Sequence, residues 1–283
     1  MIKEWIDEYA PKNLAEADQA LREIMQEIAL AGLQRSGFFE KAAFYGGTAL
    51  RIFHGLDRFS EDLDFSLLHN MEDFSLKPYL DHMQHEFEAL GIKVAVREKE
   101  KTQKTAIDSA FLKADTVWKE LFLQDVLREE GIGSRPEISI KLEIDTHPPL
   151  GFKTEEKLLV RPFSFYTKCF TLPDLFAGKM HALLFRKWKQ RVKGRDWYDM
   201  EWYVKKGVPL HLAHFLQRAK DSGDWKANTI TQAQLENLLY HRIDELSIER
   251  AKDDVVRFIR DPQKIAIWSK PYFHDLAAKI TFV

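Results

Sequence analysis

The chain has 283 residues, 45% hydrophobic and 30% charged, with a formal net charge of −2, so it has no overall electrostatic pull toward nucleic acid. No stretch approaches the roughly 20 apolar residues that cross a bilayer, and the N-terminal MIKEWIDEYAPKNLAEADQ is acidic without a signal-like apolar core. A single cysteine, Cys169, permits no internal disulfide, so a cytoplasmic protein with no membrane partner is expected.

Along the chain, Leu14, Leu21, Ile24, Met25 and Ile28 recur at helical period over residues 13–31. Asn13 with Glu16 three residues on resembles a capping box. Ala42 to Tyr45 reads as a short strand, after which Gly46-Gly47 turns the chain into the helical TALRIFHG. Asp62 to Leu68 alternates as a strand does, and residues 75–90 read as a helix stopped by Gly91. VAVREKEK (94–101) and SAFLKA (109–114) read as further strands. The clearest strand is EISIKLEID (137–145), with Ile138, Ile140, Leu142 and Ile144 on one face and polar residues on the other. After Pro148-Pro149 the texture changes, and from Pro173 onward five helical segments follow, the first of them LPDLFAGKMHALLFRKWKQ. Strands early and helices late predict an α+β fold. The expected division is a core with its N-terminal helix over 1–165 and a helical region over 166–283.

Three segments carry residues suited to chemistry. In AAFYGGTALRIFHGLDRFSEDLDFSLL, residues 42–68, Asp62 and Asp64 are two apart on a strand and project to one face. Carboxylates so close repel unless a cation lies between them. Mg²⁺ accepts oxygen ligands and keeps positions open for phosphate oxygens. Upstream, Gly46-Gly47-Thr48 opens a helix with bare backbone N–H groups and a hydroxyl, a place to cradle phosphate. Each motif alone is ordinary, a strand-to-helix turn or a solvated strand edge. Together and in this order they are equipment for a nucleoside triphosphate.

The strand 137–145 offers Glu143 and Asp145 as a third carboxylate for a two-metal site; the plain alternative is the polar side of a half-exposed strand. In the third segment, KMHALLFRKWKQRVKGRDWYDM (179–200), Met180, Leu183 and Leu184 suit a core. Lys179 suits triphosphate oxygens as a compact charge. Between Leu175 and Arg195 no residue is acidic, while Lys179, Arg186, Lys187, Lys189, Arg191, Lys193 and Arg195 are basic. Such a run marks a localised anionic ligand or a solvated helix face.

With these segments together, FYGGTALRIF, RFSEDLDFSL, IKLEI and KMHALLFRKWKQRVKGRDWYDM, the sequence resembles the AbiEii-type nucleotidyltransferase toxins. These are relatives of the MenT toxins within the polymerase-beta-like nucleotidyltransferase superfamily. The resemblance spans residues 44–200 and is specific in its combination of motifs. It implies a mixed sheet with flanking helices and Mg²⁺-dependent transfer of a nucleotide from an NTP, with Mn²⁺ as a substitute ion. The implied acceptor is RNA, the 3′ end of tRNA, and the implied protein partner is a cognate antitoxin. Carried over by position, Gly46, Gly47 and Thr48 form the phosphate turn, and Arg58 and Ser60 line the triphosphate. Asp62 and Asp64 bind metal with Glu143, preferred to Asp145, as third carboxylate. Lys179 contacts phosphates and Asp196 is the downstream essential acid.

Two alternatives remain at this level. The same chemistry could be aimed at a protein hydroxyl or a small molecule such as an aminoglycoside, but the basic residues around 186–195 favour a polyanionic acceptor. A non-catalytic nucleotide-binding module is disfavoured because binding alone needs no metal pair. Cys169 has no base beside it and reads as structural. Asp145-Thr146-His147 lacks the spacing of a zinc site, and His54, His181 and His214 read as helix-face residues.

Overall fold

The computed structural model of the protein describes residues 2–97, 116–124, 139–186 and 192–283. They form two compact units. The first comprises residues 1–55, 59–148 and 154–169, and the second residues 56–58, 149–153 and 170–283. The chain thus changes unit at residue 170 rather than 165, and two short excursions, one of them carrying Arg58, belong with the helical unit.

The first unit is built on a seven-stranded sheet. Its strands are β1 (Ala42–Tyr45), β2 (Asp62–Leu67), β3 (Lys93–Arg97), β4 (Thr116–Gln124), β5 (Ser139–Asp145), β6 (Thr154–Leu159) and β7 (Phe165–Phe170), in the spatial order β3-β4-β5-β2-β1-β7-β6. The sheet is mixed. β2 runs parallel to β5, β1 parallel to β7, and β1–β2, β3–β4 and β4–β5 are antiparallel. Leu63, Phe65 and Leu67 of β2 and Ile140, Leu142 and Ile144 of β5 are fully buried. The aromatic ring of Phe38 meets Phe65 edge-on at 5.0 Å. Period-2 alternation therefore leaves the other face of these two strands to polar residues.

Among the described residues, four α-helices belong to this unit: α1 (Ile2–Glu8), α2 (Leu14–Arg35), α3 (Gly46–His54) and α4 (Lys77–Ala89). Asn13 Oδ1 accepts the Glu16 amide at 2.9 Å, as a capping residue should, but the Glu16 carboxylate takes the Lys12 amide at 3.2 Å rather than closing a box on Asn13. α4 is stopped where Gly91 takes a left-handed φ of 75°. Of the strands expected at 94–101 and 109–114, the first corresponds to β3. Residues 98–101 and all of 109–114 lie outside the described residues, as do 137 and 138 at the start of the β5 segment. The sequence patterns do not anticipate β4, β6 and β7.

The second unit is helical: α5 (Leu172–Phe185), α6 (Gly194–Lys205), α7 (Leu212–Asp221), α8 (Gln232–Asp244), α9 (Ile248–Val255) and α10 (Lys270–Ala277). Phe176 stacks on Tyr203 with ring centroids 4.4 Å apart, joining α5 to α6. The expected helix through RKWKQ ends earlier, at Phe185, with Arg186 extended. Arg242 donates to the carbonyls of Leu183 at 3.3 Å and Arg186 at 3.4 Å, satisfying acceptors that a continuing helix would have used.

α2 and α4 pack in close contact. A Cβ at Gly32 would lie 2.5 Å from Met83 Cα and 2.9 Å from its backbone nitrogen. Gly32→Ala is therefore expected to destabilise the protein by about 1–3 kcal/mol, the cost of overpacking against a backbone. Urea unfolding with an unchanged slope and a lowered midpoint checks it.

Candidate active site

The polar face of β2 and β5 carries the carboxylates. Asp62 and Asp64 are two residues apart on β2 and both half-buried. In the parallel register, Lys141 is level with Asp62, Glu143 with Asp64, and Asp145 with Ser66. Asp145 also accepts the His147 amide through Oδ1 at 3.1 Å. Glu143 is thus the carboxylate nearer to the Asp62–Asp64 pair, and its own side chain is paired with the Lys141 ammonium. Burial lowers the Lys141 pKa, but Glu143, Asp62 and Asp64 together raise it above the ordinary lysine value.

β1 delivers the Gly46-Gly47 turn beside this pair. Tyr45, the last residue of β1, is level with Asp64, and the next residue, Gly46, turns into α3 at φ 85°. A Cβ built there would overlap Asp64 Oδ2 and lie 3.2 Å from Asp64 Cβ. Only glycine lets the turn both take this φ and lie against the Asp64 carboxylate. Tyr45 supplies no side-chain cap to α3. Thr48 departs from expectation. Its side chain is fully buried and its hydroxyl donates to the Asp62 carbonyl, so it pins α3 to the start of β2 instead of presenting its hydroxyl to phosphate. Ser60 is half-buried, and its carbonyl accepts Gln26 Nε2 at 3.2 Å.

Among the described residues no group of three or more His, Cys, Asp and Glu side chains is gathered to hold a metal ion. Asp62, Asp64 and Glu143 nevertheless fit a hard divalent cation in donor type, all oxygen, and in sharing one sheet face.

In the helical unit, Lys179 of α5 and Asp196 and Asp199 of α6 form a chain of charges with Arg58. Arg58, 2% exposed, makes a two-pronged contact with Asp199, Nε to Oδ1 and Nη2 to Oδ2, each at 2.6 Å. Lys179 Nζ lies 2.8 Å from Asp199 and 2.9 Å from Asp196. The expectation that Arg58 lines the triphosphate is corrected: its guanidinium is buried and its fork is spent on Asp199. Asp199, three residues from Asp196 on one helix face, is the partner to which the sequence motifs assign no role. Among the described residues the basic run is not one surface. Arg195 lies over the Phe258 ring at 4.1 Å, Lys193 is half-buried, and Arg186 is exposed. Lys187, Lys189 and Arg191 lie outside the described residues.

The sequence profile of the AbiEii nucleotidyl transferase toxins, of type IV toxin–antitoxin systems, matches residues 28–279. The chain belongs to this AbiEii family. No curated protein matches the chain in sequence. The fold is similar to that of MenT4, a nucleotidyltransferase toxin from Mycobacterium tuberculosis H37Rv, at 15% identity and a TM-score of 0.55, covering 97% of this chain and 87% of that one. It is also similar to JHP933 from Helicobacter pylori, at 16% identity and a TM-score of 0.53, covering 92% and 90%. The AbiEii chain is accordingly a nucleotidyltransferase, with the mixed sheet and flanking helices expected of it.

The charge chain of this AbiEii protein has a defined pH response. Burial pushes the Asp196 pKa up, but Lys179, Lys193 and Arg186 outweigh it and hold the carboxyl at about 2, below the 3.8 of an ordinary aspartate. Asp196 therefore contributes stability that is present above the unfolded value and is lost as pH falls toward about 2. Asp196→Asn should lower stability at neutral pH and lose less of it on acidification, measured by thermal melts across that range. Arg58→Ala leaves Asp199 buried with less compensation and should cost about 3–5 kcal/mol; Arg58→Lys cannot restore the fork. Chemical denaturation followed by circular dichroism reads both.

Proposed function

We propose that the protein transfers a nucleotide from an NTP to the 3′ end of a tRNA, using Mg²⁺, as a cytoplasmic toxin opposed by a cognate antitoxin. The observation that carries this reading is the Asp62–Asp64 pair beside Gly46, with Glu143 level with Asp64 on the neighbouring strand. When bound there, a divalent ion supplies charge for the triphosphate and for the oxygens around the reacting phosphorus. Asp62, Asp64 and Glu143 hold it, and the backbone N–H groups of Gly46 and Gly47 at the start of α3 receive phosphate oxygens. Lys179 has three donors, of which two go to Asp196 and Asp199, and it is 16% exposed; we assign the third to a phosphate oxygen. Asp196 and Asp199 then position that ammonium. In the reaction the acceptor hydroxyl oxygen bonds to the α-phosphorus, its proton goes to a carboxylate of the face, the α–β bridge bond breaks, and pyrophosphate leaves with the bond pair.

The deciding experiment incubates the protein with each labelled NTP, Mg²⁺ and total RNA. Label is expected on tRNA. Label on protein instead would redirect the same chemistry to a protein hydroxyl. Asp62→Asn and Asp64→Asn should each reduce transfer at least about 100-fold, consistent with losing several kcal/mol of charge stabilisation. Their melting temperatures should stay near that of the parent, since removing one of two repelling carboxylates costs the fold little.

RNA binding is tested separately. Neutralising Arg186, Lys187, Lys189 and Arg191 together should weaken it and flatten its salt dependence. The slope of log affinity against log salt should fall by roughly 0.7 to 0.9 for each phosphate no longer neutralised. A variant with the parent's affinity and slope places the acceptor elsewhere.

A further inference from the structure

Lys141 is a charge within the carboxylate face that the sequence motifs leave without a role. It is level with Asp62 across the β2–β5 pair, and Glu143, two residues on and on the same face, is level with Asp64. The ammonium is paired with Glu143, and the charges of Asp62 and Asp64 also act on it. Both members of the pair stay open to solvent, with 38% of the Lys141 side chain and 35% of the Glu143 side chain exposed. A pair so exposed contributes little to folding, so stability does not account for a cation at this position.

We propose that Lys141 is the resident counter-cation of this face. Its ammonium holds Glu143 and shields Asp62 and Asp64 while no divalent ion is bound, and a divalent ion has to displace it to use Glu143. Lys141 therefore sets how tightly the face takes metal before nucleotide arrives. Phosphate oxygens arriving with the NTP give the displaced ammonium a new partner, so metal and nucleotide should bind better together than apart. The inference rests on Asp62, Asp64 and Glu143 being metal ligands.

The test uses Mn²⁺ as the probe, titrated into the nucleotide-free protein and read by the electron paramagnetic resonance of the free ion. Lys141→Met keeps the apolar stem and removes the charge. It is expected to bind Mn²⁺ about threefold tighter or more, because one positive charge no longer opposes the ion. Lys141→Gln should behave alike, and Lys141→Arg should keep the parent's affinity. Parent-like Mn²⁺ affinity in both neutral variants overturns the role of Lys141. Parent-like Mn²⁺ binding in Asp62→Asn and Asp64→Asn instead overturns the metal reading itself, so the two failures are distinct.

Discussion

Two carboxylates two residues apart on one strand repel each other, and the sheet is organised around that repulsion. Asp62 and Asp64 are tolerable because β2 turns its other face to the core: Leu63, Phe65 and Leu67 are fully buried, which fixes the strand whatever its polar side carries. A one-residue slip of register would place both aspartates in that core, where unpaired charge is far more expensive than mutual repulsion at a half-open face. Hydrophobic burial thus holds in place an arrangement that electrostatics alone would disperse. The same register brings Glu143 level with Asp64 and Lys141 level with Asp62, so acid and base arrive on this face together.

The helical unit handles charge in the opposite way. Asp199 is fully buried, Asp196 nearly so, and each has a cation within hydrogen-bonding distance. Burial opposes ionisation of both, yet Arg58 and Lys179 at Asp199, and Lys179 and Lys193 at Asp196, hold both carboxyls below their ordinary pKa. Such a chain adds little net stability over an apolar replacement, but removing one member strands the next. Its effect is positional. It fixes the Lys179 ammonium between two carboxylates that belong to one face of α6, and it ties the tripeptide Leu56–Arg58 into the helical unit.

What is legible in the sequence follows from the range of the forces involved. The spacing of Asp62 and Asp64 needs only the two-residue period of a strand, and the β5 alternation and the α2 periodicity are equally local. β6 escapes pattern reading because its mostly polar TEEKLL leaves only Leu159 buried. The turn at Gly46-Gly47 is visible, but the reason for glycine is not: the Asp64 carboxylate occupies the place of a side chain there, and Asp64 is reached only through the β1–β2 register. Arg58 misleads for a related reason. Two residues before Ser60 it reads as part of the triphosphate motif, whereas its partner, Asp199, is 141 positions away.

The exposure of each carboxylate separates the proposed ligands from the scaffold more sharply than its motif does. Asp196 stands in a motif as specific as that of Asp62, yet it is 3% exposed and spent on Lys179, whereas Asp62, Asp64 and Glu143 are half-open on a sheet face. A divalent ion needs oxygens it can reach without first unmaking a buried ion pair, because stranding a buried ammonium costs more than an exposed ligand bond returns. Lys141 does not violate this rule, since its pair with Glu143 is solvated and gives way at small cost. The two sets of acids therefore divide the work by environment. In the proposed function the open set trades one cation for another, while the closed set fixes the Lys179 ammonium between Asp196 and Asp199.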